Sequence, residues 1–365
     1  MRIVFRTDCS LQIGTGHVMR CLTLADAMRH HGAQCHFVCR PHHGHLLDLI
    51  HERGYHVLRL PTLCEGGDTK LSSTANAGWL GVDWATDAAD TLRALNNLAS
   101  KTIDWLVVDH YALDHRWEKA LRSTVRRILV IDDLADRAHD CDVLVDQTYG
   151  RDTADYRLLV PDKCNILCGS KYALLRPEFL ALRPYSLQRR LQPDWRELLI
   201  AMGGVDKDNA TGRVLHSLHA LPILANCKIT VVMGRTAPWL DEIRSQAEGM
   251  PWPIRVLAGV DDMAQLMADS DIAIGAAGAT SWERCCLGLP SVMVVLAENQ
   301  LKVAQGLHEA GAAALVSSST GAEYRFGPIF DKFALCPQEL HAMSSSAARI
   351  VDGTGTNSIA VVLAS

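Results

Sequence analysis

No stretch of the 365-residue chain approaches the run of about 20 apolar residues that a membrane-crossing helix needs. The opening Met1-Arg2-Ile3-Val4-Phe5-Arg6-Thr7-Asp8 lacks the apolar core of a secretory leader. A cytoplasmic protein with no membrane partner is expected. Positive charge is scarce as well: 36 Lys and Arg against 41 Asp and Glu give a formal net charge of -5 and a pI near 6.3. Nucleic acid and anionic surfaces need the opposite field, so the expected ligand is a small molecule. The 12 cysteines are scattered from Cys9 to Cys336 without CxxC spacing, and no histidine cluster beside them matches zinc-ligand spacing. Buried, reduced thiols are the reading, with His42, His43 and His45 as surface or packing residues. No Lys-Ser/Thr follows a glycine loop as in a P-loop, and no DxD pair ends a strand. Asp132-Asp133 and Asp261-Asp262 are adjacent pairs that read as caps or strand-edge residues. Neither a metal nor a cofactor is expected.

What the chain has is alternation. Apolar residues make up 48% and charged residues 21%, a globular balance, and the length suits two domains of roughly 150 to 200 residues. Short β-branched runs alternate with amphipathic segments, the pattern of α/β domains built on parallel sheets. In the first half, strands are expected near residues 2–6, 34–40, 55–60, 105–109, 127–132 and 142–146, with helices at 17–31 and 44–53. A long polar stretch from Pro61 to Asp90 holds Trp79-Leu80-Gly81-Val82-Asp83-Trp84 and reads as an ordered lid near a ligand. Residues 176–196 carry Pro177, Pro184 and Pro193 and read as an interdomain linker. They divide a first domain, 1–175, from a second, 197–365. The second series places strands near 197–201, 228–233, 254–257, 271–275 and 291–296, with helices between. The predicted architecture is two Rossmann-like, doubly wound domains facing each other across a cleft.

Four constellations lie where such sheets bind ligands, at the carboxyl ends of strands. Gly14-Thr15-Gly16-His17 follows the first strand and opens the first helix, so small residues let the backbone approach a diphosphate. His17 on the first helical turn suits a neutral base near pH 7. Gly275-Ala276-Ala277-Gly278-Ala279-Thr280-Ser281-Trp282-Glu283 repeats that design. Gly278 would admit a diphosphate, Thr280 and Ser281 would donate hydroxyls, and Glu283 would accept from vicinal ribose hydroxyls, or else simply answer the helix dipole. Asp109-His110-Tyr111 ends a buried strand, and Gly203-Gly204 with Asp206 opens the second domain. Asn299-Gln300 supplies amides suited to sugar hydroxyls, with a helix cap as the alternative for Asn299.

Phe5-Arg6-x-Asp8, Ile13-Gly14-x-Gly16-His17-x-x-Arg20, Trp79-Leu80-Gly81, Val108-Asp109-His110-Tyr111, Met202-Gly203-Gly204-x-Asp206 and Ser281-Trp282-Glu283 together resemble one family. It is the UDP-2,4-diacetamido-2,4,6-trideoxy-β-L-altropyranose hydrolases of pseudaminic acid biosynthesis, and the resemblance runs from residue 1 to about residue 315. It implies a GT-B architecture similar to the lipid II N-acetylglucosaminyltransferase MurG, with the nucleotide held mainly by the C-terminal domain. It also implies that His17 activates water and that Tyr111 lies near the sugar. Asp8, Gly14, Gly16, Arg20, Gly203, Gly204, Gly278, Thr280, Ser281, Glu283, Asn299 and Gln300 are the expected substrate-binding residues. Some relatives carry Asn where this chain has Trp282, so that Asn's role does not transfer. The expected reaction is metal-independent, inverting hydrolysis of a UDP-sugar by a monomer, with no nucleic acid partner. Transfer of the sugar to an acceptor and non-catalytic sensing of a nucleotide sugar are the rival readings. Residues 316–365 show no assignable motif.

Overall fold

A computed structural model describes residues 1–62, 77–98, 102–192, 196–316 and 323–365. The chain forms two compact units, Met1–Leu174 with Thr354–Ser365, and Leu175–Gly353. The first part of the expected lid, residues 63–76, lies outside the described residues, as does Pro193.

Unit one contains β1 (Arg2–Thr7), α1 (Gly16–His30), β2 (Gln34–Cys39), α2 (Leu47–Glu52), β3 (His56–Arg59), α3 (Trp84–Asn96), β4 (Ile103–Asp109), α4 (His115–Leu121), β5 (Val125–Ile131), β6 (Val143–Asp146) and β7 (Asn165–Cys168). The strands pair in the order β3-β2-β1-β4-β5-β6-β7, all parallel. Parallel strands covered on both faces should be apolar throughout, and Val4, Phe5, Leu106, Val107, Leu129 and Val130 are buried accordingly. Gly14 makes the turn into α1 with φ of 82°, a left-handed conformation that a side chain would strain. Trp79 lies on a single 3-10 turn, Ala77–Leu80, and Asp83 then caps α3 by accepting from the amides of Ala85 and Thr86.

Unit two contains α5 (Pro177–Arg189), β8 (Glu197–Ala201), α6 (Ala210–Leu218), β9 (Lys228–Met233), α7 (Leu240–Glu248), β10 (Ile254–Ala258), α8 (Met263–Asp269), β11 (Ile272–Ala276), α9 (Thr280–Cys286), β12 (Ser291–Val294), α10 (Leu301–Glu309), β13 (Ala314–Leu315), α11 (Gly327–Leu335) and α12 (Gln338–Ile350). Its parallel sheet runs β10-β9-β8-β11-β12-β13.

Two boundaries differ from the sequence reading. Residues 176–196 are not a bare linker, because α5 belongs to unit two. Pro177 stands at the first helical position, where its missing N–H would be unsatisfied in any residue, so this proline starts a helix rather than breaking one. The chain end does not complete the second domain either: α13 (Gly355–Ala364) packs in unit one. Ile359, Ala360 and Leu363 join its core, and Trp105 Nε1 donates to the Leu363 carbonyl at 2.9 Å.

Candidate functional site

In unit one the chain passes from β1 outward to β2 and β3, then returns to add β4 on the other side of β1. The carboxyl ends of β1 and β4 therefore frame the crevice where doubly wound sheets bind ligands. His17 and Arg20, one turn apart on α1, reach Asp109 at the end of β4. His17 Nδ1 lies 2.6 Å from Asp109 Oδ1, and Arg20 holds both carboxylate oxygens, Nε to Oδ2 at 2.6 Å and Nη2 to Oδ1 at 2.7 Å. Burial would raise the Asp109 carboxyl, but Arg20 and then His17 outweigh it and hold it well below the usual carboxylate range. An ionised Asp109 can only accept, so Nδ1 carries the proton and the Nε2 lone pair is left for chemistry.

Tyr111 frames the imidazole. Its ring stands edge-on to His17 at 4.5 Å between centroids, and Trp79 stacks against Tyr111 at 5.7 Å. The Tyr111 hydroxyl donates to Asp133 Oδ2 at 2.6 Å, which also takes Arg20 Nη1 at 2.6 Å. Burial, and Asp133 beside it, raise the phenol well above its ordinary value. The hydroxyl proton is thus committed to Asp133, and Tyr111 offers a ligand its ring.

Other expectations change here. Asp8, expected at the substrate, is fully buried. Its Oδ1 accepts from Arg6 Nη1 at 2.6 Å and the Arg40 amide at 2.7 Å, within a cluster where Arg6 and Arg40 also bind Asp87. Asp8 is thus paired with arginine through Oδ1, while His110 Nε2 lies 3.4 Å from its Oδ2. Arg20 pairs its guanidinium with Asp109 and Asp133. Asp133, read as a cap or strand-edge residue, and Asp109 as partner of His17 are the members of this candidate site that sequence reasoning missed. Their signal was faint: acids ending apolar runs, with nothing in the spacing to tie residue 17 to residue 109.

A second acidic cluster follows β5 and β6. The Tyr156 hydroxyl lies 2.8 Å from Asp132 Oδ2 and 2.7 Å from Asp146 Oδ2. One hydroxyl hydrogen cannot serve two carboxylates, so a second proton is favoured there. Burial first, and Asp133 second, raise Asp146 to about 6 despite Arg151 at 2.5 Å. His42, His43 and His45 line an open concavity of about 740 Å³. Among the described residues no group of three or more His, Cys, Asp or Glu could hold a metal ion.

Unit two has its own switch point between β8 and β11. Gly203 and Gly204 follow β8, and Gly204 passes so close to Gly234 that a Cβ there would lie 2.0 Å from the Gly204 carbonyl oxygen. Asp206, grouped with them in the sequence, instead caps α6, accepting from the amides of Ala210 at 2.7 Å and Thr211 at 2.9 Å. After β11, a Cβ added at Gly278 would meet nothing within 4 Å, which leaves that backbone approachable. Thr280 is half-buried, whereas Ser281 is wholly buried and accepts from Arg284 Nη2 at 3.2 Å. Burial raises the Glu283 carboxyl, with Arg176 and Arg284 acting in the opposite sense. Asn299 is exposed and Gln300 Oε1 accepts from the Leu296 amide at 3.0 Å, closing the end of its strand.

Comparison with known proteins bears on the fold and on the second unit. Residues 202–350 match the Glycosyltransferase family 28 C-terminal domain. The Acinetobacter baumannii MurG crystal structure superposes with a TM-score of 0.66, covering 99% of each chain at 17% identity. The fold is GT-B. In sequence, the chain is 27% identical over 85% of its length to the UDP-2,4-diacetamido-2,4,6-trideoxy-β-L-altropyranose hydrolase of Campylobacter jejuni, covering 97% of that protein. It is also 26% identical over 83% of its length to an uncharacterized protein of Methanocaldococcus jannaschii, of which it spans 57%.

Proposed function

We propose that the protein hydrolyses a UDP-sugar at the anomeric carbon with inversion, releasing UDP and the free sugar. UDP-2,4-diacetamido-2,4,6-trideoxy-β-L-altropyranose is the substrate of first choice, and pseudaminic acid biosynthesis in the cytoplasm the setting. The observation that carries the reading is the 2.6 Å contact between His17 Nδ1 and Asp109, which leaves Nε2 as a base. The similarity to the C. jejuni hydrolase supports the choice of sugar.

In this reading His17 Nε2 takes a proton from water as the water oxygen bonds to the anomeric carbon. The bond from that carbon to the phosphate oxygen breaks, and its electron pair leaves on UDP. Asp109 stabilises the imidazolium that forms and keeps the ring in one tautomer, the role a buried carboxylate plays beside many catalytic histidines. A diphosphate departs without a general acid, so the committed Tyr111 hydroxyl is no obstacle. The turn at Gly14 and Gly16 brings backbone to the reacting end. Gly203, Gly204, Gly278, Thr280 and Glu283 bind the nucleotide, and Asn299 and Gln300 supply amides to the ligand. No step draws on a metal, so UDP release should persist in excess chelator.

The family 28 match favours a second reading, transfer of the sugar to an acceptor. A panel of UDP-sugars incubated with the protein in water alone, scored for UDP release, separates the two. Release without acceptor supports hydrolysis, release only with acceptor supports transfer, and tight binding with no release would mean a sensor.

A further inference from the structure

Unit two buries arginines against backbone carbonyls, and one of them is misplaced for that purpose. Arg190 donates to the carbonyls of Met267, Ala268 and Ser270, and Arg183 to those of Cys286, Ala348 and Val351. These are the C-terminal ends of α8, α9 and α12, where the negative end of a helix dipole favours a cation. Arg284 is 1% exposed and lies at the opposite kind of place. It turns back to the start of its own helix, donating to the Ala276 carbonyl at 2.8 Å, Ser281 Oγ at 3.2 Å and Thr280 Oγ1 at 3.3 Å. Its contacts are one carbonyl and two hydroxyls with no carboxylate among them, and its Nε has no partner.

A guanidinium so placed opposes the dipole instead of answering it. Burial lowers it to about 10 and outweighs the opposing pull of Cys285 and Glu283, the direction expected of a charge whose counter-charge falls short. The fold nonetheless makes room for it: a Cβ at Gly275 would lie 2.2 Å from Arg284 Nη1. Helix α9 has seven residues, too few for its dipole alone to hold a phosphate. Free energy lost to an unpaired buried charge is recovered if an anion settles on the turn above it.

We infer that Arg284 is a positioning residue for a diphosphate bound on the turn of residues 276–281. It supplies counter-charge from beneath the backbone and, by donating to Thr280 Oγ1, turns the Thr280 hydroxyl hydrogen outward toward the anion. The inference rests on the nucleotide reading above and adds to it a residue that never touches the ligand.

Calorimetry of the full chain with UDP, uridine and inorganic pyrophosphate tests it on wild type, Arg284→Met and Arg284→Lys. The Met variant should keep or raise the apo Tm, bind uridine like wild type, and bind UDP and pyrophosphate roughly tenfold or more weakly. Lys should recover part of that loss. Unchanged UDP and pyrophosphate affinity in a folded Met variant overturns the inference, as does an equal loss of uridine affinity, which marks mere distortion. Should Arg284→Met not fold, Thr280→Val takes its place: a severalfold loss of pyrophosphate affinity supports the inference and no loss overturns it. If wild type binds pyrophosphate through Arg284 but gains nothing from the uridine, Arg284 keeps its role and the nucleotide reading falls. If wild type binds UDP no better than uridine, Arg284's role falls and the nucleotide reading stands.

Discussion

At the crevice of the first sheet, His17, Arg20, Asp109 and Asp133 form a chain of contacts, each 2.6 to 2.7 Å long and buried save at Asp133. At the matching crevice of the second sheet stand Gly203, Gly204, Gly278 and Thr280, with bare backbone and one cation, Arg284, underneath. The same topology is furnished in opposite ways. A base must be held in one tautomer and orientation, which takes buried charges fixed by one another. A diphosphate spreads its charge over many oxygens and is met by backbone N–H groups, which takes small residues and room. On the proposed function, chemistry falls to one unit and binding to the other, and substitutions should separate them.

The largest effect should come from His17. His17→Ala and His17→Asn should fold and keep UDP affinity while losing about 10²- to 10⁴-fold in turnover, the usual worth of a general base. Wild-type rates in either variant, read as UDP release, would remove His17 from the mechanism. Asp109→Asn should damage both rate and fold, because Arg20 loses its partner: about 3 to 5 kcal/mol less stable by denaturant titration. A variant as stable as wild type would mean that the pair is not what holds α1 to β4.

On the binding side, Glu283→Gln should weaken UDP by about 1 to 3 kcal/mol with little change in the rate at saturation. Unchanged affinity by calorimetry would return Glu283 to a helix-dipole role.

The last effect is a pH dependence in unit one, which bears on stability rather than on turnover or binding. Asp146 titrates near 6 when folded, above the ordinary carboxylate value, so the folded state holds its proton more tightly than the unfolded chain. Stability from that protonated form is complete below about pH 4 and is lost as pH rises through about 6. An Asp146→Asn variant keeps the protonated shape and should not share the loss. The stability gap between the two should move in the variant's favour by about 2 to 3 kcal/mol across that window. A gap independent of pH would mean that Asp146 is ionised throughout.

The sheets were legible because buried parallel strands leave continuous apolar runs, such as residues 197–201 and 228–233, which match β8 and β9 end for end. The turn from Gly14 into α1 was legible because local pattern sufficed there. Pairings across the sheet were not, since Asp109 meets His17 only because β4 is laid beside β1. Asp8 and Asp206 show the opposite limit: an acid at a strand end looks alike whether it faces a ligand, a buried arginine or a helix's first amides. Pro177 shows the same ambiguity, starting a helix in a stretch that composition marks as a linker. Arg284 left no trace in the pattern, because its burial depends on the empty space at Gly275.

One experiment bears most directly on the proposal that unit one activates water while unit two retains UDP. The protein is run through its first turnovers on UDP-2,4-diacetamido-2,4,6-trideoxy-β-L-altropyranose in oxygen-18 water, with proton NMR of the sugar before mutarotation and mass spectrometry of both products. Label in the sugar, with the anomeric configuration inverted, is the predicted result. Label in the UDP phosphate would place the attack at phosphorus and contradict the account.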